Sequence, residues 1–440
     1  MSNNEHTLPT GWRESKAHRI ILQGGRLFHP GMGLDKIADL GIENGIIKHI
    51  GDVPADFQGE TINCDGLLIT PGLFDMHVHL REPGYEHKET VRTGCSAAAA
   101  GGFTGIACMP NTNPSTDNPG VVEFIRNQAI GLPVSVYPIA ATTKGRKGET
   151  LTEMSELVAA GVTAFSDDGS PIASADLMRR ALEYSNMLGA LLIEHCEEPT
   201  MTVGGIMHEG AVSTRLGLAG WPAVAEEIAI ERNIQLAEYT GARLHCAHVS
   251  TARGVQLIRN AKKKGVRVTA EATPHHVSLD CSILENYDSE YKVNPPLRES
   301  KDIEAIIAGL ADGTIEAIAT DHAPHAHDEK EVELALAPFG MVGLETAFGV
   351  ILTELVDTGR ISLSRAIDAM SLQPRRLMNL PEVLLEVGSV ANLSIFDTRE
   401  QWVVERDALN SKSHNTPFHG WKLTGKARGI FNNGKYWGRR

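Results

Sequence analysis

The chain has 440 residues, long enough to bury one large core and to carry an appendage beside it. Its 41 Lys and Arg against 55 Asp and Glu leave a net charge of −14, which argues against a polyanion-binding surface and against nucleic acid as a partner. Six cysteines without a C-x-x-C pair exclude a disulfide scaffold, and no run of about 18 apolar residues offers a membrane span.

Residues 1–18 read as a polar tail lacking the apolar run of a signal peptide, so a cytoplasmic location with reduced cysteines is expected. Residues 19–72 alternate in short apolar bursts ("RIILQGGRLF", "ADLGIENGIIKHIG", "TINCDGLLI") separated by Gly and Asn turns, and residues 388–440 do the same ("GSVANLSIFD", "KARGIFNNGKYW"). Both ends predict antiparallel β-structure, and neither is large enough to stand alone. The economical expectation is one composite β-sandwich built from both termini.

Between them, over 73–387, apolar runs alternate with helix-like stretches. The runs are "LLITPGLFDMHVHL", "FTGIACM", "LPVSVYPIA", "VTAFS", "GALLIE", "ARLHCAHV", "VRVTAEA" and "TIEAIAT". Helices are predicted over 121–130, 151–160, 175–188, 223–239, 252–264 and 302–310. Eight β–α units in roughly 270 residues predict an α/β fold, a closed (β/α)₈ TIM barrel, and no early G-x-G-x-x-G or phosphate-binding loop favours a nucleotide fold.

In such a barrel the working side chains project from the C-terminal ends of the strands. The first run ends in "FDMHVHLREPG", where strand alternation places Asp75, His77, His79 and Arg81 on one face. The second ends at Pro110 and Asn111, the fourth at Asp167 and Asp168, and the fifth at His195. The sixth ends at His248 and the eighth at Asp321, His322 and His325. Buried imidazoles and carboxylates are costly unless satisfied, and metal satisfies a converging set at once. Nitrogen and oxygen donors without thiolate suit zinc or another divalent ion, and so many ligands suit two ions about 3.5–4 Å apart. Asp167 and Asp168 are adjacent, so on an extended strand only one can face the mouth.

The segments "PGLFDMHVHLREPG", "MPNTNP", "AFSDDG", "HCAHVSTARGVQLIRNAKKKG", "VTAEATPHH", "YKVNPPLR", "IATDHAPH", "APFGMVGLETAF" and "SHNTPFHGWKLTGKA" occur in an order that resembles the type I dihydroorotases of the amidohydrolase superfamily, over about residues 20–437. The resemblance implies reversible cyclisation of N-carbamoyl-L-aspartate to L-dihydroorotate in pyrimidine biosynthesis, with two zinc ions per chain, or one. It implies that His77, His79 and Asp321 hold the more buried zinc, that His195 and His248 hold the other, and that Asp168 bridges them. Arg81 and Asn111 would grip the substrate carboxylate with help from His325. Asn294 and the Phe339–Gly340 backbone would contact the ring, and Asp321 would shuttle the proton.

Hydantoinases and allantoinases, the rival cyclic amidases, resemble this chain but, like other dihydroorotases, bridge their metals with a carboxylated lysine, where the type I dihydroorotases use Asp. "GVTAFSDDGSPI" contains no Lys, and Lys144 reads as a solvated loop residue. A metal-free scaffold serving aspartate transcarbamoylase is the rival of another class, and the full ligand set disfavours it. Partners implied are the small-molecule substrate, further copies of the chain and a transcarbamoylase. The segment 324–338, "PHAHDEKEVELALAP", reads equally as a solvated loop with a short helix at 329–335 or as a lid, with His327, Asp328 and Lys330 given no special role. His245 is expected to be structural, and His275 and His276 to support the ligands from behind. His208 sits in a long loop with no assigned role.

Overall fold

A computed structural model describes residues 8–439. Its centre is the expected barrel. The eight strands are Leu73–Val78, Phe103–Cys108, Ser135–Pro138, Ala164–Ser166, Leu191–Glu194, Leu244–Cys246, Val268–Ala272 and Ala317–Ile318. Neighbours pair in parallel. Single bridges complete the circle, Ala140 to Phe165 between the third and fourth strands and Val78 to His322 between the first and last.

All six residues of the first strand are buried, as befits a parallel strand covered on both faces rather than a half-exposed one. Its pairing with the second strand shifts register between Asp75 and Val78, so simple alternation fails there. Asp75 consequently leaves the face it was expected to share with His77. Its Oδ1 and Oδ2 accept from the Thr320 amide at 3.2 and 3.1 Å, tying the first strand to the end of the last.

The helices begin where the sequence supplies caps. Thr90 and Thr93 form a reciprocal capping box for Val91–Ala100. Asn118 caps Pro119–Gln128, Ser174 caps Ala175–Met187, and Thr251 caps Ala252–Lys263. Ala223–Thr240 stops at Gly241, whose φ of 67° suits a left-handed C-cap. The apolar faces of these helices and the outer faces of the strands form one large core that includes Phe103, Phe165, Leu192, Leu244 and Ile258.

Strands from both chain ends form one continuous nine-strand sheet, and residues from both contribute to an apolar cluster of their own, among them Ile20, Leu22, Leu40, Leu393 and Phe431. Two of its pairings are parallel rather than antiparallel as expected, Glu60–Asn63 and Leu68–Pro71 against Arg19–His29. The sheet also takes in Arg13–Glu14, which pairs with Lys435–Gly438 and lies within the span read as a tail. The rest of that tail, residues 1–7, is outside the described residues. Leu68–Pro71 runs almost directly into the first barrel strand, so the sheet anchors the strand that carries His77. All six cysteines are buried and free, and among the described residues no helix is long and apolar enough to cross a membrane.

Candidate active site

The strand ends converge. His77 and His79 come from the end of the first strand, Asp168 from just past the fourth, His195 from the fifth, His248 from the sixth and Asp321 from the eighth. Their ligating atoms fall into three overlapping triads, His77–His79–Asp168, His77–His248–Asp321 and Asp168–His195–His248, each within 4.8 Å. Asp168 Oδ1 lies 3.4 Å from both His77 Nε2 and His248 Nε2 and 3.8 Å from His195 Nδ1, while Asp321 Oδ1 lies 2.8 Å from His79 Nε2. Asp168 is thus shared by the two halves of the cluster.

The facing argument separates the two aspartates. Asp167 turns away and accepts from the Thr142 and Thr143 amides at 2.9 and 3.1 Å and from the Thr143 hydroxyl, fixing the loop after the third strand.

Two observations make the cluster a fitting place for a cation. His77 Nε2 and His248 Nδ1 are buried without any hydrogen-bond partner, an expense a metal would remove. Burial works to depress His77, yet Glu271, Asp168 and Asp321 together raise it well above its ordinary range. The same negative potential around His77 favours a cation beside the imidazoles. Burial likewise works to raise Asp168, but the neighbouring imidazoles, His77 foremost, hold it well below the usual carboxylate range.

The residue that sequence reading missed is Glu271 on the seventh strand. Its Oε1 sits 2.6 Å from His77 Nδ1 and its Oε2 3.2 Å from His245 Nε2, both carboxylate oxygens fully buried. It fixes the His77 ring so that Nε2 points at the cluster, the usual carboxylate support for a metal-binding imidazole. "VTAEA" carried a signal, since a Glu inside an apolar strand needs a buried partner. His245 completes this support through Thr269 Oγ1 at 2.9 Å, as its structural reading required. His276 holds Thr273 Oγ1 at 2.8 Å and Pro295 O at 3.0 Å, bracing the turn that carries Asn294, whereas His275 Nε2 has no partner. His208 accepts from Arg298 Nη1 at 3.1 Å. Lys144 is exposed, 3.4 Å from Glu153.

The cluster opens into a cavity of about 340 Å³ whose lining includes Arg81, Asn111, Asn294, His325, Phe339 and Gly340. Every residue expected to touch substrate therefore reaches one space. Asn111 Oδ1 is engaged by His79 Nδ1 at 2.9 Å, which leaves its amide nitrogen to a ligand. Burial, then the charges of Arg81, Lys88 and Lys330, push His325 far below its ordinary range, so it is neutral. Its Nε2–H donates to Phe339 O at 2.9 Å, and Nδ1 accepts from Lys88 Nζ at 3.4 Å. Arg81 Nη2 then meets Nε2 at 3.4 Å as donor against donor, a geometry completed by an acceptor between them. Arg81, His248 and Asp321 all adopt left-handed φ values, of 63°, 32° and 48°. Such strain in non-glycine residues persists where surrounding structure enforces it, and here it falls on the working residues.

The loop after the last strand departs from expectation. Its helix is His327–Lys330 rather than 329–335, and Lys330, given no role from the sequence, is 2% exposed.

A barrel with imidazoles and carboxylates gathered at its strand ends is that of a metal-dependent cyclic-amide hydrolase of the amidohydrolase type. A family model described as dihydro-orotase-like matches residues 66–253. The dihydroorotase of Pelotomaculum thermopropionicum is 51% identical over 92% of this chain and 95% of its own, and that of a Thermoanaerobacter species is 50% identical over 92% and 94%. Among solved structures, the L-hydantoinase (dihydropyrimidinase) of Arthrobacter aurescens superimposes with a TM-score of 0.83 at 26% identity, covering 93% of this chain and 94% of that one. The dihydropyrimidinase of Brevibacillus agri shares the fold, with a TM-score of 0.82 at 23% identity over 95% and 94%. The chain belongs to the dihydroorotase family.

Proposed function

We propose that the protein interconverts N-carbamoyl-L-aspartate and L-dihydroorotate, and that His77, His79, Asp168, His195, His248 and Asp321 hold two zinc ions for that reaction. The observation that carries the reading is the meeting of this donor set with Arg81, Asn111 and neutral His325 in one cavity. When bound, divalent ions would polarise the ring amide carbonyl and acidify the attacking water.

The protein's own residues do the rest. Arg81 and Asn111 present donors from two separate segments to the substrate carboxylate, beside the neutral His325 ring that lines the same space, which fixes the substrate ring against the cluster. Asn294 and the Phe339–Gly340 backbone border the ring's remaining edge. Asp321, ionised and oriented by His79, accepts a proton from the attacking water and returns it to the leaving ring nitrogen. Cyclisation runs the same transfers backwards. Asp168 at the shared position, with no lysine in its segment, supports the dihydroorotase reading over a hydantoinase.

The test is turnover of dihydroorotate, hydantoin and allantoin by the purified chain, with zinc measured on the same sample. Conversion of dihydroorotate together with two zinc per chain is expected. Preferential turnover of hydantoin would replace the proposal, and a metal-free inactive chain would remove it. We also propose self-association of the chain and docking to a transcarbamoylase, each read by sedimentation of the chain alone and mixed with that enzyme.

A further inference from the structure

Two lysines lie buried behind the wall of the cavity, 3% and 2% exposed, and nothing in the proposed chemistry uses them. Lys292 stands two residues before Asn294. Its Nζ donates to Leu334 O at 2.8 Å and Ala335 O at 3.0 Å, and sits 4.6 Å from the centre of the Phe339 ring. Its own carbonyl accepts from the Gly340 amide at 2.9 Å. Lys330 comes from the loop itself and donates to Pro338 O at 3.1 Å and Gly340 O at 3.0 Å. Neither ammonium has a carboxylate within ion-pair distance among the described residues. Glu290 lies nearby, and its Oε2 is also left without a partner, so Lys330 engages backbone carbonyls in preference to it.

Burying two ammonium groups without counter-ions is expensive, and holding a surface loop in place does not require it. What the two share is their target, since all four carbonyls belong to 334–340, the stretch that ends in Pro338, Phe339 and Gly340 on the cavity wall.

We propose that Lys292 and Lys330 are positioning residues, a buried brace that sets Phe339 and Gly340 against the substrate ring before substrate arrives. The inference rests on the dihydroorotase reading for its substrate. The loop is then a preformed wall rather than a lid, and binding energy is not spent on ordering it.

Kinetics of the purified zinc-loaded enzyme test the brace. Lys330→Met and Lys292→Met should each raise KM for dihydroorotate about tenfold while kcat stays within about threefold, at wild-type zinc content, and Lys330→Arg should recover part of the KM. A purely structural lysine would lower Tm and leave KM alone. A KM within about twofold of wild type in a folded, zinc-replete Lys330→Met enzyme would overturn the proposal. Hydrogen exchange of the wild-type protein decides the matter independently of variant folding. The Leu336, Ala337 and Gly340 amides should be protected without ligand, and fast exchange slowed only by added dihydroorotate would overturn it. If the wild type fails to turn over dihydroorotate, the functional reading falls, and the exchange measurement still decides the brace.

Discussion

Single side chains carry the chemistry, and two can be separated by experiment. Asp321→Asn keeps the shape and one oxygen donor but removes the base, so turnover in both directions should fall by about 10²–10⁴-fold with zinc retained, measured by activity and metal content together. Glu271 lies outside the cavity lining and supplies no atom to the three triads, so Glu271→Gln acts through His77. It weakens the hold on His77 Nδ1, and zinc affinity should drop about 10–100-fold in a competition titration, with activity restored by excess zinc. The two variants fail in opposite ways, one with metal and no turnover, the other with turnover limited by metal. The members of the cluster were legible in the sequence because polar residues at strand ends are conspicuous against apolar runs. Glu271 was not, because its partner is 194 residues away and only the barrel brings them together. Lys330 was given no role for a related reason, since "HDEK" has the composition of a solvated turn while its burial depends on carbonyls later in the same loop.

At the scale of elements, the loop after the eighth strand shows how a backbone path sets recognition. Gly340 has φ +134°, and a Cβ there would meet Ala323 Cβ at 2.8 Å and His325 Nε2 at 3.1 Å. Gly340→Ala should therefore displace the wall and His325 together, raising KM for dihydroorotate with little change in zinc content. Lys330 adds a pH signature. Burial pushes it down to about 8 from 10.5, so the folded state binds its proton less tightly than the unfolded chain does. Below about pH 8 the full cost of the buried ammonium is present, and it disappears between about 8 and 10.5 as the amine turns neutral in both states. The Tm of the wild type relative to Lys330→Met should rise across that window. The helices expected from the helix-like stretches between the apolar runs were placed to within a few residues. The parallel pairings in the terminal sheet were not, because short alternating strands look alike whichever way their neighbour runs.

Over the whole molecule, three buried carboxylates, Asp168, Glu271 and Asp321, face an imidazole cluster in which His77 Nε2 and His248 Nδ1 are buried without a hydrogen-bond partner. Divalent ions that bind the folded chain alone must then stabilise it by mass action. Chelation should lower Tm, and added zinc should restore it in proportion to the logarithm of free metal, followed by calorimetry. A Tm indifferent to chelator would show that the cluster holds no metal in the folded protein. The alternation of strands and helices made the barrel readable, while the joining of its two ends, through Val78 and His322 and through Asp75 and Thr320, is a property of the closed ring alone.

That closure has a consequence for synthesis. The cluster draws its side chains from both extremes of the barrel, His79 near the start and Asp321 242 residues later, with Asp321 Oδ1 2.8 Å from His79 Nε2. A ribosome that has released only the first three hundred residues has therefore made most of the donors and no complete centre. Any inorganic cargo the cluster takes must then wait until the last barrel strand emerges from the exit tunnel.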